Sequence, residues 1–528
     1  MTETTFPYLS LITFVPLIGA AMVLLLPKTS EIPIKLVALI TSLVSLLFTL
    51  HVWSRFDPLS GLMFEERFAW IPAIHVDYRL AVDGLSIAMV LLTAIITPLA
   101  LLAHWKLDRD VKLFFFLFLL LQTGMFGVFT ALNFFHWFIF WELGLIKIWG
   151  AEDRTYASFK FFIYTLAGSV AMLLAFAFIY LATGSFDFLT LREQASSGEL
   201  MRAINVLVGD ISVRTGLHIN PVWFTSALFW GVFLGFAIKV PIWPFHTWLP
   251  DAHTQAPTGG SMVLAAILLK MGVYGFLRVV LPIFPVQVAA HLNVLLFLAL
   301  ASVIFGAFAA MAQTDFKRLV AYSSINHMGY AMLGIFAVVA SAANVPDVMN
   351  EKAAALNGAM LQMFNHGISS AALFFLVGVV YERTHTRSLA EYGGLRKIMP
   401  IYAGVLGISM FSSLGLPGLN GFVGEFLVFK GAFPILTSVT LLATIGLVVT
   451  AIFLLSMIEK VCFGPLNEKW TGLSDMTGRE ILIGAALMVF MFWIGVYPAP
   501  LIHASNQAAL SLIKVFEGAP EVMMALVR

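Results

Sequence analysis

The sequence predicts an all-α polytopic membrane protein of about 14 transmembrane helices, and three observations carry that prediction. Only 11% of the residues are charged, less than half of the roughly 25% with which ordinary globular domains cover their surface. Hydrophobic residues make up 60% and mean hydropathy is +0.93, so lipid is the solvent for most of the surface. Apolar runs recur along the whole chain, each near the roughly 20 residues that a helix needs to cross a bilayer core.

The runs lie near 7–27, 32–53, 80–104, 112–131, 134–150, 156–182 and 222–240, then 258–281, 288–311, 318–340, 353–380, 400–430, 437–461 and 480–500. No basic segment precedes the first run, which therefore reads as an uncleaved helix. The longest polar gaps, about 54–79 and 183–221, are too short to fold alone, and "APLIHASNQAALSLIKVFEGAPEVMMALVR" has room for a short interfacial helix. Cytoplasmic loops of membrane proteins hold an excess of Lys and Arg. Here the excess falls after odd-numbered runs, at Lys106, Arg109, Lys112, Arg154, Lys317, Arg318, Arg383, Arg387, Arg396 and Lys397. Odd loops are therefore expected on the cytoplasmic side, and both termini on the other side.

Two runs are broken. The seventh ends in "IKVPIWP", where Pro241 and Pro244 lack backbone donors and block continuation of the helix. The twelfth is interrupted in "FSSLGLPGLNGFVGEF" by Gly415, Pro417, Gly418 and Gly421. Pairing helices 4–8 with 9–13 makes the breaks coincide, as the fourth member of each unit, which is the pattern of inverted-repeat transporters. The expected organisation is residues 1–111 for helices 1–3, 112–281 and 282–462 for the two five-helix repeats, and 463–528 for helix 14 with the C-terminal segment.

A charge at the bilayer centre costs roughly 2.5 to 3.5 kcal/mol on insertion scales, so each one calls for a partner, water or a purpose. Glu142 in "FHWFIFWELGLIKIWG", Lys239 in "FLGFAIKVPIWP", Lys270 in "MVLAAILLKMGVYGF" and Glu425 in "GLNGFVGEFLVFKGAF" meet that description. His327 in "YSSINHMGYAML" and His366 in "LQMFNHGISSAALFF" lie among them, and neutral imidazole is poised to pass protons near pH 7. In order the six form a series that can take and release a proton, which is what a relay requires. For Glu142 and Lys239 the other reading is a static buried pair holding two helices together; for the histidines it is a hydrogen bond between packed helices. His246 and His253, after the seventh run, read as braces of a re-entrant turn.

Other chemistry is excluded or weak. A net charge of +1 points to no nucleic-acid partner. The single Cys462 rules out an intrachain disulfide or a cysteine-held iron–sulfur cluster. No His/Cys cluster has metal spacing, and "GLPGLNGFVGE" has neither the preceding strand nor the following GK[ST] of a phosphate loop.

The strings "FWELGLI", "KFFIYTLAGSV", "KVPIWPFHTWLPDAHTQAPTGGSMVLAAILLKMGVYG", "QTDFKRLVAYSSINHMGY", "NHGISSAALFFLVG" and "GLPGLNGFVGEF" resemble the antiporter-like membrane subunits of respiratory complex I, from about residue 75 to 465. Glu425 stands where the sister subunits and the multi-subunit Na+/H+ antiporters resemble one another in carrying lysine. The resemblance implies fourteen helices with inverted repeats, Glu142 and Lys239 as a coupling pair, Lys270, His327 and His366 as relay groups, and Glu425 as the group passing the proton outward. It implies a bacterial inner membrane location, L- and N-type antiporter-like neighbours, and no NADH binding on this chain. FMN, iron–sulfur clusters and quinone are expected on partner subunits, with no cofactor or metal here. The alternatives are a subunit of an Mrp-type cation/proton antiporter and a membrane subunit of a membrane-bound hydrogenase. One stretch departs from the family: "WELGLIKIWG" is about five residues shorter than the family pattern, roughly 7 Å of helix at 1.5 Å per residue, and it brings Lys147 close to Glu142 in sequence.

Overall fold

The computed structural model describes residues 6–144, 154–342 and 345–517. Among these, ten helices are long and apolar enough to cross a membrane, and two shorter apolar helices, Ile87–Ala103 and Pro400–Leu414, accompany them. Thr258–Ile283 and Val348–Thr384 lie at the centre, with every residue of their apolar stretches buried. Tyr8–Leu25, Glu31–Ser54 and Gly478–Val496 bury a minority of theirs and form part of the rim. The outward faces carry Leu47, Phe159 and Val448, each more than half exposed, as expected where the solvent is lipid and not water.

Several expectations are corrected. The run at 80–104 begins as a strand, and its helix starts at Ile87, after Asp83 and Ser86 have closed a turn. The gap at 54–79 holds a two-stranded antiparallel hairpin, Met63–Ile71 with Val76–Val82, in which Phe68 faces Tyr78. The gap at 183–221 holds two helices, Phe188–Ser196 and Glu199–Thr215. The second is amphipathic, burying Leu200, Ile204 and Val208 at helical spacing. The C-terminal helix, Ala499–Glu517, has 19 residues, more than the short segment expected. The run at 134–150 is helical from Phe134 to Leu143, ten residues, about half of what a full crossing requires. Its remaining part, with Lys147, lies outside the described residues.

Both breaks are present, and their backbone groups are accounted for. Pro221–Lys239 stops at the prolines, and the chain resumes as Trp248–Gln255. The Trp248 indole donates to the Ile238 carbonyl (2.9 Å), Ile242 N to Ala237 O (2.8 Å), and Trp243 N to Ser302 Oγ (2.9 Å). Pro400–Leu414 stops at Gly415 and resumes as Asn420–Ala432. Gly415 and Gly418 have φ of +79° and +94°, a conformation that a side chain disfavours. Glycine also sets the approach of Asn420–Ala432 to Val348–Thr384: a Cβ on Gly431 would stand 2.3 Å from the Ala355 nitrogen. Small residues of this kind let membrane helices touch backbone to backbone.

The hairpin anchors the first helix. Tyr8–Leu25 begins after Pro7, which supplies no side-chain cap, so its first N–H groups need an acceptor from elsewhere. Buried Glu66 of the hairpin provides it: Oε1 accepts from Leu9 N (2.7 Å), Oε2 accepts from Ser10 N (3.2 Å), and the Ser10 hydroxyl bonds the same carboxylate. The Tyr78 hydroxyl completes the cluster, 2.6 Å from Ser10 Oγ. Glu66→Ala is expected to strand these donors at a cost of about 1 to 3 kcal/mol. Amide hydrogen exchange at Leu9 to Ile12 should then quicken about tenfold or more; unchanged exchange would mean that the hairpin does not hold this helix.

Candidate functional site: a buried row of ionisable groups

Four of the six side chains selected from the sequence form a row. Lys270, on the central helix Thr258–Ile283, is fully buried. The helix widens to π-type turns over Leu264–Leu268, and the Ala265 carbonyl in that stretch accepts from Lys270 Nζ at 2.5 Å. Such bulges recur at functional sites because they present a backbone group out of the usual register. Lys270 Nζ also lies 2.6 Å from His366 Nδ1, on the other central helix. The His366 and His327 rings are 5.4 Å apart between centroids. His327 Nδ1 is 3.0 Å from Glu425 Oε1, and Gln362 Nε2 donates to the same oxygen at 3.2 Å. Glu425 sits beside the second break, facing the space that Gly415 leaves open.

Each histidine commits Nδ1 and leaves buried Nε2 without a protein partner. A neutral imidazole carries its proton on one nitrogen and accepts on the other. Two imidazoles between an amine and a carboxylate therefore permit a proton to enter at one end of the row and leave at the other.

Glu142 and Lys239 stand differently: they make no ion pair, contrary to the expected coupling contact. Lys239 Nζ and Glu142 Oε1 are both buried without a hydrogen-bond partner. The reason lies in the way the helix Phe134–Leu143 faces. Trp141, and not Glu142, turns towards the lysine, its ring 5.0 Å from Nζ. The helix ends at Leu143, and a Cβ on Gly144 would be 3.3 Å from the same nitrogen. Lys239 Nζ thus rests against an aromatic face and close to a helix end. Glu142 still contributes its field to Lys239.

Of the two loop histidines, His253 does not brace by hydrogen bonding. His253 is fully buried and stacks on Phe374 (4.2 Å, 8°), with neither ring nitrogen partnered; its backbone carbonyl accepts from Ser261 Oγ. His246 leaves Nδ1 without a partner. Among the described residues no three His, Cys, Asp or Glu side chains are grouped to hold a metal ion.

Neutral residues complete the site without a charge to mark them in an apolar run. Gln362 lies one turn before His366 on the same face, and that spacing was its only signal. Asn420 accepts from Ser412 Oγ (2.5 Å) and donates to the Asn365 carbonyl (3.1 Å), while Asn365 Nδ2 returns a bond to Asn420 O (2.6 Å), tying the second break to the central helix. Asn326 links the Val303 carbonyl and the Thr450 hydroxyl next to His327.

Known proteins share this fold. The family model described as NADH:quinone oxidoreductase/Mrp antiporter, TM, matches residues 131–454. The NADH-quinone oxidoreductase subunit M of Rhodobacter capsulatus is 42% identical over 503 residues, 93% of each chain. A chain of respiratory complex I from Thermus thermophilus superposes with a TM-score of 0.80 at 27% identity, covering 96% of this chain and 99% of that one. A chain of the Mrp complex from Dietzia sp. DQ12-45-1b shares the fold at 19% identity, with a TM-score of 0.78 over 97% of this chain and 99% of that one.

If His327 and Glu425 act on each other as their geometry indicates, His327→Asn and Glu425→Gln will not be additive. A double-mutant cycle on thermal unfolding in detergent should give a coupling of about 0.5 to 3 kcal/mol. Strict additivity would mean that the contact carries no energy.

Proposed function

From the premise that this chain belongs to the subunit M family of NADH-quinone oxidoreductase, and is a proton-translocating membrane subunit of respiratory complex I, we propose that the buried row is its proton path. The observation that carries the proposal is the run of contacts Lys270, His366, His327, Glu425, which joins two central helices to the second break. Lys239 loads the path from the first break. With Lys239 protonated, its positive field favours the neutral amine at Lys270, so the proton there moves to His366 Nδ1. Relay between the imidazoles brings it to Glu425, which releases it outward when Asn420–Ala432 shifts at its glycine hinge. Glu142 sets the cycle by its distance from Lys239. Pairing would favour the ammonium and separation in a dry site the amine, so the releasing state of this cycle is the one in which the two groups are apart.

The chain is part of a multi-subunit membrane complex whose activity is NADH:quinone oxidoreduction. We assign FMN, the iron–sulfur clusters and quinone to partner subunits, with antiporter-like L- and N-type subunits flanking this one. The distribution of Lys and Arg supports a bacterial inner membrane orientation with both termini on the non-cytoplasmic side. A stand-alone Mrp-type antiporter is disfavoured by the acid at Glu425. Proteomic analysis of the purified assembly separates the two, since flavin and iron–sulfur subunits accompany only a complex I chain.

Lys239→Ala and Glu142→Ala are each expected to reduce NADH-driven quinone turnover and proton pumping at least tenfold in membranes. Electron transfer from NADH to a soluble acceptor should stay at wild-type rate. Normal proton-to-electron stoichiometry in both variants would contradict the assignment.

A further inference from the structure

On the hairpin side of the molecule lies a second polar site, outside the row. A cavity of about 220 Å³ opens between the 58–62 loop, the 83–85 turn before Ile87–Ala103, the helix Phe188–Ser196 and the C-terminal helix. One wall is cationic. Arg278, buried at the end of Thr258–Ile283, pairs with Asp83 (2.6 Å) and donates to the Tyr274 hydroxyl (2.9 Å). Arg192 enters the cavity half-buried, and its guanidinium donates to the Ser511 carbonyl at 3.2 Å. Among the described residues no carboxylate pairs with it. Asp83, the acid in the cavity wall, is committed to Arg278.

Two guanidinium groups face one cavity with one carboxylate in its lining, and Asp83 and the neighbouring Glu193 reach Arg192 by their field without an ion pair. Burial, and next the neighbouring Arg278 charge, lower the Arg192 pKa from its ordinary value, which is the strain that a bound anion relieves. The cavity is also lined by apolar Leu62, Leu189 and Pro282, and Leu59, next to lining Pro58, is 79% exposed. An arginine fork beside an apolar wall is the chemistry of a phosphate group carried on a hydrocarbon. We propose that this cavity binds the phosphate of an anionic phospholipid, with Arg192 as the ligand and the Asp83–Arg278 pair as its support. An acyl chain would lie along the leucines, and the lipid would join the hairpin, the 188–196 helix and the C-terminal helix.

The test uses the assembled complex, purified with the wild-type chain, Arg192→Gln or Arg192→Lys, and stripped of loosely held lipid. One arm adds phosphatidylglycerol, the other inorganic phosphate, and native mass spectrometry and phosphorus analysis count what is retained. The expected result is one more phosphatidylglycerol per wild-type complex than per Arg192→Gln complex, with affinity at least about tenfold lower in that variant. Arg192→Lys, which keeps the charge but loses the fork, should fall between them, and exposed Arg202→Gln should match wild type. Inorganic phosphate should bind more weakly, because it lacks the apolar contacts. Equal retention in wild type and Arg192→Gln in an assembled complex would overturn the proposal, as would Arg192-dependent phosphate binding with no preference for the lipid.

Discussion

The contact between Lys270 Nζ and His366 Nδ1 is the point on which the rest of the molecule depends. It joins the two helices buried along their whole apolar length, at a depth where an unpaired charge is costly. Backbone packing brings the pair together: the wide turn at Leu264–Leu268 lends the lysine a carbonyl, and a Cβ on Gly367 would meet the Ala266 oxygen at 3.0 Å. A larger residue at Gly367 would push the helices apart and break this contact, leaving Lys270 only the carbonyl of its own helix.

From that joint the polar groups run towards one break and face the other. The helix breaks are what make such depth possible, since an unbroken helix satisfies its own backbone and has nothing to offer a proton or a water molecule. At the first break Trp248 takes up the freed Ile238 carbonyl, and Lys239 rests on Trp141. At the second, the Asn420–Asn365 exchange holds the half-helix in place while Glu425 faces His327 and Gln362. The two ends are unlike: the acid at the second break is engaged, and the lysine at the first is held by an aromatic ring and a helix end. A machine that passes protons in one direction needs such asymmetry, because identical ends would return what they received.

How much of this was legible in the sequence follows from what a single chain can reveal. Lys239, Lys270 and Glu425 stood out because a charge in an apolar run is visible without knowing its neighbours. The prolines at 241 and 244 and the glycines at 415 and 418 marked the breaks because those residues act on their own backbone. Partners were not legible. His327 and Glu425 lie 98 positions apart, and Gln362 carries no charge to draw attention. The hairpin was hidden because Glu65, Glu66 and Arg67 interrupt its alternation and read as a polar loop. Glu142 was paired with Lys239 as two buried charges of opposite sign and by resemblance, but the helix Phe134–Leu143 turns Trp141 to the lysine instead. Arg192 lay in a polar gap that reads as too short to fold alone, and only folding set it beside Arg278.

The central claim is that protons travel along the row from Lys270 to Glu425. Its most direct test is the proton-to-electron ratio of the complex reconstituted into sealed vesicles, comparing wild type with Lys270→Met, which keeps the volume of the side chain and removes its proton. The ratio should fall by the share of protons that this subunit carries, while NADH oxidation by a soluble acceptor is unchanged. An unaltered ratio at full assembly would show that the protons take another route.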